Sequence, residues 1–183
     1  MAIIKYIPNF LTLINMSLGL TSVLVLIQTD HPHKTIIAPV LIILGGLVDF
    51  FDGFLARKLK AETNMGKQLD SFADIITFGI APICLINYIF TCSYPVFIIA
   101  VSLIFMMAGA YRLARYNMND FSNHFMGLPI TAAGIGLAVY CMIYPLWVKN
   151  LNRPLCTVTT TALIVLLSIL MVSKKKIKRI TTL

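Results

Sequence analysis

Residues 36–57 read IIAPVLIILGGLVDFFDGFLAR. Thirteen uncharged residues, Ile36 to Val48, run into an aspartate at 49, a second at 52 and an arginine at 57. A helix needs roughly 20 mostly apolar residues to cross the hydrocarbon core, and this stretch is that long. Its charges are confined to one end, where a spanning helix meets water.

The rest of the chain repeats the pattern. It has 183 residues, of which 58% are hydrophobic and 12% charged. Soluble domains carry about twice that charge. Six segments are predicted to span: 10–28, 36–57, 68–90, 95–116, 128–148 and 154–173. The first, Phe10 to Gln28, carries no charge. It is long for a signal peptide and lacks a small-residue cleavage site. No Gly/Ser/Pro-rich linker and no internal repeat divides the chain, so residues 1–183 are expected to form a single domain.

Orientation follows from the bases. With the N-terminus in the cytoplasm, the inner set is Lys5, Arg57, Lys58, Lys60, Lys67, Arg112, Arg115, Lys174, Lys175, Lys176, Lys178 and Arg179. The outer set is Lys34, Lys149 and Arg153. Twelve against three is a strong positive-inside bias. The predicted fold is therefore all-α: a polytopic membrane bundle of six transmembrane helices with both termini cytoplasmic. The net charge of +8 does not indicate nucleic acid, because no basic stripe is interleaved with aromatics. The run Lys174 to Arg179 serves as a topology anchor and also suits anionic lipid headgroups. Cys84, Cys92, Cys141 and Cys156 lie in or beside apolar runs with no C-x-x-C pair, and read as small apolar fillers.

The acids are in the wrong place for a scaffold. Of seven, Asp49, Asp52, Asp70 and Asp74 lie in or at the ends of predicted spans. Each costs about 2.5–3.5 kcal/mol at a helix centre and less near the interface. Asp49 and Asp52 are three apart, and Asp70 and Asp74 are four apart, so each pair shares a helix face. One pair closes the second span and the other opens the third. An antiparallel helix pair would bring all four together just below the cytoplasmic surface. Four carboxylates repel one another, and divalent cations remove the conflict. Oxygen-only ligands suit Mg²⁺ or Mn²⁺, and two such ions clamp an in-line displacement at phosphorus.

The residues between the acids fit a phosphate ligand. Gly53 and Ala56 follow Asp49 at i+4 and i+7 and leave the backbone bare on that face. The alternative for them is close helix packing, for which membranes use small residues. Arg57 can hold a diphosphate through two hydrogen bonds. Gly66 permits a similar close approach.

The run from Asp49 to Arg57, with Gly66, Asp70 and Asp74, spells D-x-x-D-G-x-x-A-R-x8-G-x3-D-x3-D. It resembles the signature of the CDP-alcohol phosphatidyltransferases, and all its fixed positions are present. The resemblance implies six spans and a homodimer. It implies that Asp49 and Asp70 bridge two metals, that Asp52 holds one and Asp74 the other, and that Asp74 is also the general base. It places Gly53, Arg57 and Thr63 against the CDP moiety. Asn9 and Thr12 resemble a nucleotide-side contact and read equally well as a helix cap.

Leu69 to Pro82, Arg112 to Asn117 and Phe125 to Pro129 resemble the serine-using branch, the phosphatidylserine synthases. Ser71 and Ile75 stand where the glycerophosphate-using branch tends to have proline and lysine. Thr131 replaces a second proline, a change expected to leave the chemistry alone. The implied substrates are CDP-diacylglycerol, held in a cell membrane, and L-serine from the cytoplasm. Arg112 and Arg115 could bind the serine carboxylate, with Asn117 beside them; they could equally snorkel to the interface or bind an acceptor phosphate. A divalent-cation transporter would place its acids near mid-membrane in broken helices, and here Arg57 would repel the passing ion.

Overall fold

In a computed structural model, residues 7–28, 32–59, 61, 63–90, 95–118, 125–148, 153–173 and 176–177 are described. Cys92, Lys5 and the tail cations Lys174, Lys175, Lys178 and Arg179 lie outside them. Six helices follow in order: α1 (Ile7–Gln28), α2 (Lys34–Lys58), α3 (Asn64–Phe90), α4 (Pro95–Met118), α5 (Ile130–Val148) and α6 (Arg153–Val172). Each coincides with a predicted segment to within a few residues. α1 to α4 are long and apolar enough to cross a membrane, whereas α5 and α6 are apolar over the shorter stretches Ile130–Pro145 and Cys156–Val172.

The all-helical expectation needs one addition. Two short strands, β1 (Phe125–Met126) and β2 (Lys176–Ile177), pair antiparallel with Phe125 opposite Ile177. Gly127 follows β1 with φ 76°, and a Cβ there would lie 3.0 Å from the Ser173 oxygen. Only glycine fits a left-handed turn pressed on the end of α6. Leu128 N–H then donates to Leu170 O at 3.1 Å.

α3 is the central helix. It packs on α1, α2, α4 and α5, while α1 pairs along its length with α2, and α4 with α6. Its Thr77, Phe78, Ala81, Leu85 and Ile86 are fully buried. Glycines from its neighbours admit it: a Cβ at Gly134 would lie 2.5 Å from the Phe78 oxygen, and one at Gly45 would lie 2.7 Å from Thr77 Cγ2. Bare backbone at such crossings is how membrane helices approach closely. The outward faces carry Phe10, Leu20, Ile27, Leu47, Leu103, Met107 and Ile169 in exposed positions, as lipid contact requires.

The middle of α3, Ile75–Ile80, is wound as a π-helix. Pro82, inside the helix, has no N–H to give Phe78 O, and its ring crowds that carbonyl. The preceding turn widens, and Ala81 N–H reaches back five residues to Ile76 O. The wide turn begins immediately after Asp74. Such insertions recur at functional sites.

Candidate active site

α2 ends by its own geometry: Leu59 N–H donates to Leu55 O at 2.9 Å and Ala61 N–H to Ala56 O at 3.0 Å. Thr63 then caps α3, its Oγ1 accepting from Gly66 N–H at 3.0 Å. This short connection turns the chain back, and the carboxylates of the two helices converge. One oxygen each from Asp49, Asp70 and Asp74 lie within 4.8 Å of one another.

Like charges at that range need a counter-charge, and Asp74 Oδ1 is buried with no hydrogen-bond partner among the described residues. An all-oxygen set with an orphaned carboxylate oxygen fits a hard divalent cation. Asp52 stands outside that group of three. It is 4% exposed, and its Oδ2 accepts from Thr12 Oγ1 at 2.9 Å. It remains an electrostatic neighbour of Asp49, Asp70 and Asp74.

Thr12 also lies 3.0 Å from Pro8 O, and both Asn9 and Thr12 sit inside α1. Neither is a helix cap. Asn9 instead faces α3, since a Cβ on Gly66 would lie 2.8 Å from Asn9 Oδ1 and 3.0 Å from Thr63 Oγ1. Asn9, Thr63 and Gly66 therefore form one cluster at the mouth of the site. Gly53 resolves differently: nothing among the described residues lies within 4 Å of a Cβ built there. Its missing side chain serves no helix packing and leaves open space beside Asp52. Ala56 is half-buried on the same helix, and Arg57 is exposed.

The two arginines of α4 part company. Arg112 is 6% exposed and neighbours Asp74, and its Nε has no acceptor among the described residues. Arg115 turns to α6, where Nη1 donates to Val172 O at 3.2 Å, closing the last carbonyls of that helix. Asn117 returns to α3, its Nδ2 donating to Ser71 Oγ at 2.9 Å. Arg112 and Asn117 thus meet the site's helix, whereas Arg115 bonds to the end of α6.

Three features escaped the sequence. Thr131 Oγ1 stands 3.5 Å from Asp49 Oδ2, so the residue at the replaced proline position touches one of the carboxylates. Lys67 reaches the Asn117 oxygen at 3.5 Å; its spacing of four from Ser71 was the available signal. Asn15, one turn below Thr12, is fully buried with both amide atoms unpartnered, over Gly45 and beside Thr77. An amide inside an apolar span was signal enough to single it out.

Known proteins resemble this chain along most of its length. The family model described as CDP-alcohol phosphatidyltransferase matches residues 5–175. The chain is 36% identical over 173 residues to the CDP-diacylglycerol–serine O-phosphatidyltransferase of Bacillus subtilis, covering 94% of this chain and 89% of that one. It is 29% identical over 170 residues to the protein of the same name from Methanocaldococcus jannaschii, covering 93% and 72%. It is 32% identical over 137 residues to the archaetidylserine synthase of Methanothermobacter thermautotrophicus, covering 73% and 57%.

Proposed function

The chain belongs to the CDP-alcohol phosphatidyltransferase family, and from that membership we propose that it transfers a phosphatidyl group from CDP-diacylglycerol to the hydroxyl of L-serine. The observation that carries the reading is the convergence of Asp49, Asp70 and Asp74 within 4.8 Å, with the buried Arg112 beside Asp74. The names of the relatives support serine as the acceptor.

Asp49, Asp52, Asp70 and Asp74 would hold two Mg²⁺ or Mn²⁺ ions, which neutralise charge on the diphosphate and the departing nucleotide. Asp74 takes the proton of the serine hydroxyl, a weak nucleophile that needs a base in reach. The serine oxygen bonds to the lipid-linked phosphorus, that phosphorus breaks its bond to the bridging oxygen, and CMP leaves with the electron pair. Thr12 orients Asp52, and Thr131 leans on Asp49. The open space at Gly53, with Ala56, Arg57 and the Asn9–Thr63–Gly66 cluster, receives the CDP-lipid. Arg112 takes the serine carboxylate.

The chain works as one domain of six spans with both termini in the cytoplasm. It sits in the cell membrane as a homodimer, with the site opening to the cytoplasm. Lipid tails then stay in the bilayer while serine arrives from water. Protein purified in detergent with CDP-diacylglycerol tests this directly. CMP release is read with serine, glycerol 3-phosphate, inositol and inositol phosphate in turn, and serine is expected to be fastest. A larger rate with glycerol 3-phosphate would move the acceptor and leave phosphatidyl transfer standing.

A further inference from the structure

The seam between α3 and α4 carries Asp74 and Arg112 together with three polar residues that the transfer step leaves without a role: Lys67, Ser71 and Asn117. Lys67, Ser71 and Asp74 recur at i, i+4 and i+7 along one face of α3. Arg112 neighbours Asp74 at the inner end of this stripe, and Asn117 meets Ser71 and Lys67 at the outer end.

The hydrogen bonds at the outer end have a direction. Ser71 Oγ donates to Lys67 O at 3.1 Å. With its one proton committed, that oxygen can only accept from Asn117, whose Nδ2 donates at 2.9 Å. The amide is thereby fixed with Oδ1 turned away from Ser71. That oxygen is buried and has no donor among the described residues. The Lys67 ammonium goes to the main-chain oxygen of Asn117 at 3.5 Å. At the inner end the spare group is of the opposite kind, the Arg112 Nε–H without an acceptor. Buried polar atoms left over by the protein call for a partner from outside it.

One spare donor lies beside the proposed base, and one spare acceptor lies at Ser71, one turn away along α3. L-serine presents a carboxylate that needs a donor, an ammonium that needs an acceptor, and a hydroxyl that needs a base. We infer that Asn117 is a specificity-determining residue that reads the α-ammonium of the acceptor through Oδ1, and that Ser71 is a positioning residue that keeps the amide turned that way. The inference rests on serine being the acceptor and adds how an amino acid is told from other small alcohols. An acceptor without an ammonium leaves Oδ1 unsatisfied, and buried unpaired groups are what reject near-isosteric analogues.

The test compares L-serine with 3-hydroxypropionate, which is serine with hydrogen in place of the ammonium. CMP release is measured on the full chain in detergent at saturating CDP-diacylglycerol. The native protein should prefer serine by roughly ten- to a hundredfold in kcat/KM, the range of a hydrogen bond to a charged group. Asn117→Leu should collapse that ratio by raising the serine KM, with the KM for CDP-diacylglycerol unmoved. Asn117→Asp, which keeps an acceptor in place, should retain the preference. Ser71→Ala should lose part of it, and Ser71→Thr should restore it. A native-like ratio in Asn117→Leu would overturn the inference. Should that variant not fold, an unchanged ratio in Ser71→Ala would do the same. Failure of the serine reading is distinct: the native protein would then use glycerol 3-phosphate faster than serine before any variant is made.

Discussion

Two regions of the bundle treat buried polar groups in opposite ways. Along α6 the hydroxyls of Thr160, Thr161 and Ser168, buried or half-buried, each donate to a carbonyl four residues back at 2.8 Å. Across to α5, Tyr140 Oη and Thr160 Oγ1 lie 2.7 Å apart. Every one of these groups is satisfied by the protein itself. On the seam of α3 and α4, by contrast, Asp74 Oδ1, Arg112 Nε and Asn117 Oδ1 are buried with nothing to bond among the described residues. In an apolar medium a polar group without a partner is costly. A self-satisfied hydroxyl is compatible with a purely structural role; a row of orphans indicates a place built for something that comes and goes.

The comparison can be broken most decisively at Asp74. Asp74→Asn should keep the fold and CDP-lipid binding and lose turnover by about 10²–10⁴-fold, the usual contribution of a positioned base. Turnover near the native value would remove Asp74 as the base. Asp49→Asn should weaken metal and nucleotide binding together, read by calorimetry with CDP-diacylglycerol and Mn²⁺; unaltered affinity for both would detach Asp49 from the cluster.

The arginines sharpen the contrast. Arg112→Ala should raise the serine KM by roughly ten- to a hundredfold, as loss of one charge-assisted hydrogen bond would, and should leave the KM for CDP-diacylglycerol near its native value. Arg115→Ala should leave the serine KM alone and lower stability by about 1 kcal/mol through loss of its bond to Val172 O. Equal effects on serine from both would contradict the separation of the pair. The smallest change is expected in the satisfied region. Thr160→Val should cost about 0.6 kcal/mol of thermal stability in detergent, a common value for an interhelical hydrogen bond in a membrane protein, with no change in turnover.

The carboxylate cluster was legible because its information is local. Two pairs at spacings of three and four, on consecutive helices joined by a short connection, can converge in few ways. Helix positions were legible for a similar reason, since apolar length sets them. The partners of those acids were not. Thr131 is separated from Asp49 by 82 residues, and Thr12 from Asp52 by 40; nothing in sequence spacing links them. The arginines show the limit of helical periodicity. Positions three apart on a helix differ by about 60° around its axis, enough for Arg112 to face Asp74 and Arg115 to face α6. The π turn follows from Pro82, yet a proline in a spanning segment permits a kink, a bulge or a widened turn, and only the packing around Phe78 selects among them.

Metal dependence reaches the centre of the account. Protein stripped with excess chelator should release no CMP from CDP-diacylglycerol and serine, and titration with Mg²⁺ or Mn²⁺ should restore release. Undiminished CMP release in excess chelator would contradict the reading of Asp49, Asp52, Asp70 and Asp74 as a metal site.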